Sequence, residues 1–144
     1  MSTVQSPDAT SADSAGPVRI RTALFSVYDK TGVAGLASAI AQRGGTVLAS
    51  GGTAKALVDA GVPVLPIEEY TGLAQGYGGR VKTLHPKIHA GILARRDVPG
   101  DLEELEEADA RPIDLVCVNL YPFEQAVAEG ATEAEKIEKI DIGG

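Results

Sequence analysis

Two hydrophobic periods alternate along this chain. Thr22-Ala23-Leu24-Phe25-Ser26-Val27 is a short run of apolar, strand-forming residues, and Val33, Leu36, Ala37, Ile40 and Ala41 then recur at helical spacing. This pattern predicts a strand followed by a helix. Gly44-Gly45 supplies a helix stop, Thr46-Val47-Leu48-Ala49 reads as a second strand, and Ser50-Gly51-Gly52-Thr53 leads into a helix from Ala54 to Ala60. Gly61 ends that helix. Val62 to Ile67 predicts a third extended segment, pushed to a sheet edge by Pro63 and Pro66, which lack the N–H that a central strand donates. The β-α-β-α-β order implies an α/β fold: a three-layer α/β/α, Rossmann-like parallel sheet.

The second half continues the alternation. Ile88, Ala90, Ile92 and Leu93 predict a short buried helix, and Leu102 with Leu105 predicts another with an acidic, solvated outer face. Leu115 to Leu120 is almost wholly apolar, as in a central parallel strand covered on both faces. Pro122 suits the first position of a helix. Thr132-Glu133-Ala134-Glu135 has the form of a capping box, with Ile137 and Ile140 expected to point inwards from the helix it opens. Residues 1–18, rich in Ser, Ala, Thr, Asp and Pro, read as a disordered N-terminal tail, which leaves 19–144 as one domain. A chain of 144 residues of which most is folded buries roughly two thirds of its unfolded surface, enough for one sizeable core.

Charge narrows the partners. The formal net charge of −7 argues against non-specific binding to nucleic acid or to an anionic membrane. With four Tyr, two Phe and no Trp, the chain has few platforms for stacking single-stranded bases. Cys117 is the single cysteine, which excludes an intramolecular disulfide and suits a reducing, cytoplasmic setting; its apolar neighbours Leu115, Val116 and Val118 predict a buried core thiol. No apolar run approaches the ~20 residues of a membrane span, and residues 1–17 lack the basic start and apolar core of a signal peptide.

Within this acidic chain one stretch stands out. From Thr71 to Arg96 there is no Asp or Glu, while Arg80, Lys82, Lys87, Arg95 and Arg96 all fall there, beside Gly78-Gly79. A local cationic patch points to an anionic small molecule. In open parallel sheets ligands bind beyond the C-terminal ends of strands, near helix N-termini. Ser26 to Gly32, Ser50 to Thr53 and Asn119-Leu120-Tyr121 all occupy that edge. Ser50-Gly51-Gly52-Thr53 before a helix offers hydroxyls and free N–H groups to a phosphate, and Lys30 could add a point charge. The same four residues also suit a plain tight turn with an N-cap. They match neither GxxxxGK[ST] nor GxGxxG, so a monophosphate is favoured over a nucleoside triphosphate or a dinucleotide. His85 and His89, at i and i+4, have metal-ligand spacing but lack a third ligand and the Glu of zinc hydrolases, so no metal is expected. Lys82, flanked by Val81 and Thr83 near other cations, reads either as a surface lysine or as a partly desolvated proton donor.

Five segments taken together carry a family resemblance: Ser26-Val27-Tyr28-Asp29-Lys30-Thr31-Gly32, Ala49-Ser50-Gly51-Gly52-Thr53-Ala54-Lys55, Gly79-Arg80-Val81-Lys82-Thr83-Leu84-His85-Pro86, Asn119-Leu120-Tyr121-Pro122-Phe123 and Ile140-Asp141-Ile142-Gly143-Gly144. Over residues 20–144 the chain resembles the N-terminal IMP cyclohydrolase domain of the bifunctional AICAR transformylase/IMP cyclohydrolase family, which has a methylglyoxal-synthase-like fold. The resemblance implies dehydrative ring closure of 5-formamidoimidazole-4-carboxamide ribonucleotide (FAICAR) to IMP in purine biosynthesis, with no metal or organic cofactor. Ser26, Lys30, Ser50, Gly52, Thr53, Arg80 and Thr83 would hold phosphate and ribose, with Asn119 and the backbone around Gly143 adding to the substrate site. Lys82, Tyr121 and Asp141 would surround the reacting base as the catalytic residues. A purine nucleotide monophosphate is the implied partner, nucleic acid and membrane are not, and the full-length family forms homodimers. The family continues beyond Ile-Asp-Ile-Gly-Gly into a lysine-containing segment and a transformylase domain, so the domain is expected to be truncated at its C-terminal end. Two other readings share the fold: a nucleotide-binding or regulatory module without catalysis, and a lyase of the methylglyoxal synthase type.

Overall fold

The structure is a computed structural model that describes residues 16–73, 83–120 and 122–140. Strand β1 (Thr22–Ser26) leads into helix α1 (Val33–Gln42), β2 (Thr46–Ala49) into α2 (Gly51–Asp59), and β3 (Leu65–Pro66) into α3 (Ile67–Thr71). Helices α4 (Pro86–Leu93) and α5 (Pro99–Glu107) precede β4 (Leu115–Val118), and α6 (Phe123–Ala128) and α7 (Glu133–Glu138) follow it. The sheet has the order β3-β2-β1-β4 and every pairing is parallel. Thr22 lies opposite Thr46, and Ala23 opposite Leu115. This is the α/β architecture that the strand–helix alternation predicts.

Side-chain alternation along β1 divides the core between the two faces. Ala23, Phe25 and Val27 meet Val33, Ala37 and Ile40 of α1 and Leu57 of α2 on one side. Leu24 and Leu48 meet Ile67 and Tyr70 of α3, Ile88 of α4 and Ile113 on the other. Phe25, Leu48 and Leu57 are wholly buried, and each such side chain contributes about 1.5–3 kcal/mol relative to exposure. Helices α1 and α2 end within two residues of Gly44 and Gly61, where the glycines predict their stops.

Three expectations change. The third strand is only Leu65–Pro66, because Ile67 starts α3 where extended structure was predicted; its edge position is as expected. Strand β4 is an edge strand, and β1 and β2 are the strands with neighbours on both sides that have both faces covered. Val116 and Val118 are therefore 42% and 52% exposed, and Cys117 is half-buried against the first core cluster. Helix α7 has its full capping box, with Glu135 N donating to Thr132 Oγ1 and Thr132 N donating to Glu135 Oε2. Its Ile137 and the following Ile140 nonetheless face outward, more than half exposed. An apolar pattern records which face seeks cover, and no described element packs on these faces. Among the described residues no helix is long and apolar enough to cross a membrane. The tail expected over 1–18 lies outside the described residues up to residue 15.

Candidate functional site

Parallel pairing brings the C-terminal ends of β1, β2 and β4 to one edge, with Phe25 opposite Ala49 and Ser26 opposite Val118. The loops leaving that edge are tied together by side chains. Asn119 Oδ1 accepts from Tyr28 N at 2.6 Å and Asp29 N at 3.1 Å, and Nδ2 donates to Asp29 O at 2.9 Å. Thr53 Oγ1 donates to Val27 O at 3.0 Å and accepts from Val27 N at 3.2 Å. Asp29 turns back on its own loop, accepting from Thr31 Oγ1 and Thr31 N, and these bonds hold its carboxyl below the ordinary carboxylate range. Asn119 and Thr53 thus act first as clamps that set the loop after β1 against the start of α2.

The clamped loop places a cation beside a helix N-terminus. Ser50, 7% exposed, is the N-cap of α2 in extended backbone, and its hydroxyl makes no capping bond. Helix α2 starts one turn earlier than the sequence pattern predicts, with Gly51 at φ 55, a conformation that favours glycine. Lys30 Nζ is held by Val27 O at 3.2 Å and Tyr28 O at 3.0 Å. A Cβ added to Gly52 would stand 3.7 Å from that ammonium. The free N–H groups of the first turn of α2 carry partial positive charge. An ammonium beside them is a like-charge arrangement that an anion between the two relieves. Tyr28 belongs to the same edge: its ring centroid lies 6.0 Å from Lys30 Nζ and 5.3 Å from Lys139 Nζ, at the end of α7. Sequence reasoning singled out neither Tyr28 nor Lys139. Tyr28 stood beside Lys30 as a signal, whereas nothing in the pattern marks a lysine ending an amphipathic helix.

The structure therefore brings together Ser26, Lys30, Ser50, Gly52, Thr53 and Asn119. Thr83 sits just before α4, 5% exposed, and its hydroxyl has no hydrogen-bond partner among the described residues. A buried hydroxyl left unpaired costs about 1–3 kcal/mol, which a bound ligand's polar group can offset. Arg80, Lys82, Tyr121, Asp141 and Gly143 lie outside the described residues.

Among its described residues the acid-free stretch does not form a single patch. Arg95 makes a two-pronged pair with Asp101, through Nε at 3.0 Å and Nη2 at 2.8 Å, and Arg96 pairs with Asp114 at 2.6 Å. Lys87 lies 3.5 Å from both Tyr70 O and Asp109. The stretch lacks acidic residues of its own, but the fold supplies them from α5 and the segment before β4. His85 is the N-cap of α4, where Nδ1 accepts from Lys87 N at 3.1 Å, and His89 is exposed on that helix. Among the described residues no group of three or more His, Cys, Asp and Glu side chains is placed to hold a metal.

Asn119→Ala removes the two accepted bonds and the donated one and is expected to cost about 1–2 kcal/mol of stability. It should also weaken binding of inorganic phosphate severalfold by freeing the Lys30 loop. Urea unfolding and phosphate titration measure the two effects. Asn119→Asp, which keeps the acceptor oxygen but sets a second oxygen against Asp29 O in place of the Nδ2 donor, should recover only part of the stability.

A family model described as MGS-like domain matches residues 32–144. The chain is similar to bifunctional purine biosynthesis protein PurH of Synechocystis sp. (strain ATCC 27184 / PCC 6803 / Kazusa), with 57% identity over 126 residues, 86% of this chain and 25% of that protein. The PurH of Trichormus variabilis (strain ATCC 29413 / PCC 7937) is 58% identical over the same shares. The chain thus spans about a quarter of the length of these relatives. Among solved structures, the crystal structure of ForH superimposes with a TM-score of 0.71 and 39% identity, covering 85% of this chain and 63% of that one.

Proposed function

Because the chain belongs to the MGS-like domain family, we propose that it supplies the IMP cyclohydrolase step of a purine biosynthesis protein, closing FAICAR to IMP with loss of water. The observation that carries this reading is Lys30 held over the glycine-rich N-terminus of α2, a seat for one phosphate at the C-terminal edge of a parallel sheet.

Both reacting groups of the substrate belong to one molecule. The carboxamide nitrogen attacks the formyl carbon and closes the ring, giving up one of its two protons as the formyl oxygen becomes a hydroxyl. That hydroxyl takes a second proton and leaves as water while the former formamide nitrogen loses its proton and the C=N bond forms. The domain's work is to hold the two groups in contact and to place donors and acceptors for these protons. Ser26, Ser50, Gly52, Thr53 and Lys30 hold the phosphate end, Arg80 and Thr83 extend the contact, and Asn119 keeps the Lys30 loop in place. Lys82 stabilises and protonates the departing oxygen, Asp141 orients or deprotonates the carboxamide, and Tyr121 and the backbone near Gly143 border the base. These roles rest on the family resemblance of the segments that contain them.

A second reading, binding of a phosphorylated ligand without turnover, has support in the same place: the Lys30 ammonium beside the glycine-rich N-terminus of α2. Incubating the chain with FAICAR while following IMP formation separates the two. Saturable turnover establishes the cyclohydrolase; binding of IMP without turnover leaves the module. Competition by a triose phosphate analogue as strong as that by IMP would instead favour the lyase. Lys30→Ala is expected to raise the KM or Kd about tenfold, the loss of one charge-assisted phosphate contact. Near-normal turnover in Lys82→Ala and Asp141→Asn would remove the roles given to those residues.

A further inference from the structure

At the opposite edge of the sheet, where β1 and β4 begin, the chain has a second concentration of positive charge. A cavity of about 440 Å³ there is lined by Arg19, Arg21, Arg96 and Arg111, with Pro112 and the carboxylate of Asp114 among its walls. Four of the 13 Lys and Arg residues of a chain with 20 Asp and Glu thus share one cavity with one carboxylate.

That carboxylate is already committed. Asp114 Oδ2 accepts from Arg21 N at 2.8 Å and Thr22 N at 3.0 Å, its Oδ1 accepts from Arg96 at 2.6 Å, and its side chain is 6% exposed. It balances Arg96. The other three guanidinium groups pair with no described carboxylate. Arg19 donates to Arg43 O at 3.2 Å, and Arg111 donates to Thr46 Oγ1 at 3.3 Å with its guanidinium 5.9 Å from the Tyr70 ring centroid. Neutral acceptors orient these groups without cancelling their charge.

Three exposed guanidinium groups with no described carboxylate partner thus line one cavity, and a multiply charged anion engages such groups through paired N–H donors. The volume falls within the range of roughly 300–1,000 Å³ of small-molecule sites. We propose that this arginine-lined cavity is a second ligand site, separate from the Lys30 edge, for a small polyanion bearing two phosphate groups. The five residues of β1 separate the two sites, about 16 Å at strand rise, so one small ligand does not fill both.

The test is a titration of the ¹⁵N-labelled chain with inorganic pyrophosphate at ionic strength held constant with sodium chloride. Amide shifts are expected at Thr22, Arg96 and Asp114, with saturation. The double variant Arg21→Glu/Arg111→Glu should weaken that binding at least about tenfold, and Lys30→Ala should leave it unchanged. Should the double variant lose its dispersed spectrum, Arg21→Gln, which alters a side chain with no carboxylate partner, is expected to weaken binding severalfold. Shifts confined to Gly51, Gly52 and Thr53, equal shifts with sodium chloride alone, or unchanged affinity in the arginine variants would each overturn the proposal.

Discussion

Asp114→Ala is expected to lower the unfolding free energy by about 3 kcal/mol, among the largest single-side-chain losses outside the apolar core. Its carboxylate holds the first rung of the β1–β4 pair, since Arg21 N and Thr22 N both donate to it while Asp114 N donates to Thr22 O at 2.8 Å. Thr22 is 3% exposed, so its N–H, once unpartnered, cannot turn to water. The Arg96 contribution is discounted because that side chain is 44% exposed and regains hydration. Burial pushes the Asp114 carboxyl up, but the bonds from Arg96, Arg21 N and Thr22 N outweigh it and hold its pKa below the ordinary 3.8. A carboxyl depressed in the folded state stabilises the fold above its unfolded pKa and loses that contribution as the pH falls through the folded value. The gap between the parent chain and Asp114→Asn should therefore be full at pH 7 and close progressively below about pH 4. Urea unfolding of both proteins across that range measures it; a gap that is constant with pH would mean that the ionised carboxylate is not what holds the rung.

The second large effect is steric. Gly91→Ala, a change that favours most helices by up to about 1 kcal/mol, is expected here to destabilise by about 2 kcal/mol net. A Cβ at that position would stand 2.5 Å from Arg111 O and 3.1 Å from a side-chain carbon of Ile113. The obstruction is backbone, so no rotamer change relieves it. Gly91 O also accepts from Ile113 N at 2.8 Å, which fixes α4 against the segment entering β4. Displacing that segment moves Asp114 and the arginine cavity with it, and Gly91→Ala should therefore be non-additive with Asp114→Ala. A thermal midpoint unchanged in Gly91→Ala would show that this approach is looser than the structure has it.

Much of this was legible from the chain. The runs at 22–27 and 46–49 and the helical spacing from Val33 to Ala41 reported strand and helix correctly, because burial on a parallel sheet requires those periods. The capping box at Thr132 reported itself through purely local bonds. Lys30 and Ser50-Gly51-Gly52-Thr53 pointed to the C-terminal edge because in a β-α-β unit the loop after each strand has to lie there. Local pattern misled where the outcome depended on which elements become neighbours. Leu115 to Val118 has the composition of a central strand but sits at the sheet edge. Ile137 and Ile140 have inward spacing, yet no described element covers them.

By itself the sequence determined the parallel α/β alternation, the helix stops and caps, and the glycine-rich start of a helix at Ser50-Gly51-Gly52-Thr53, all set by residues close together in the chain. The tertiary structure alone decided how the charges are shared. It sent Arg96 to Asp114, while Arg95 meets Asp101 only six residues on, dividing a stretch that looked like one anion site, and it gathered Arg19, Arg21, Arg96 and Arg111 around one cavity. It also turned Asn119 and Thr53 onto the Lys30 loop as clamps. Hydrogen bonds and ion pairs act over a few ångströms, so partners separated by 18 to 93 residues in the chain meet only once the sheet has closed.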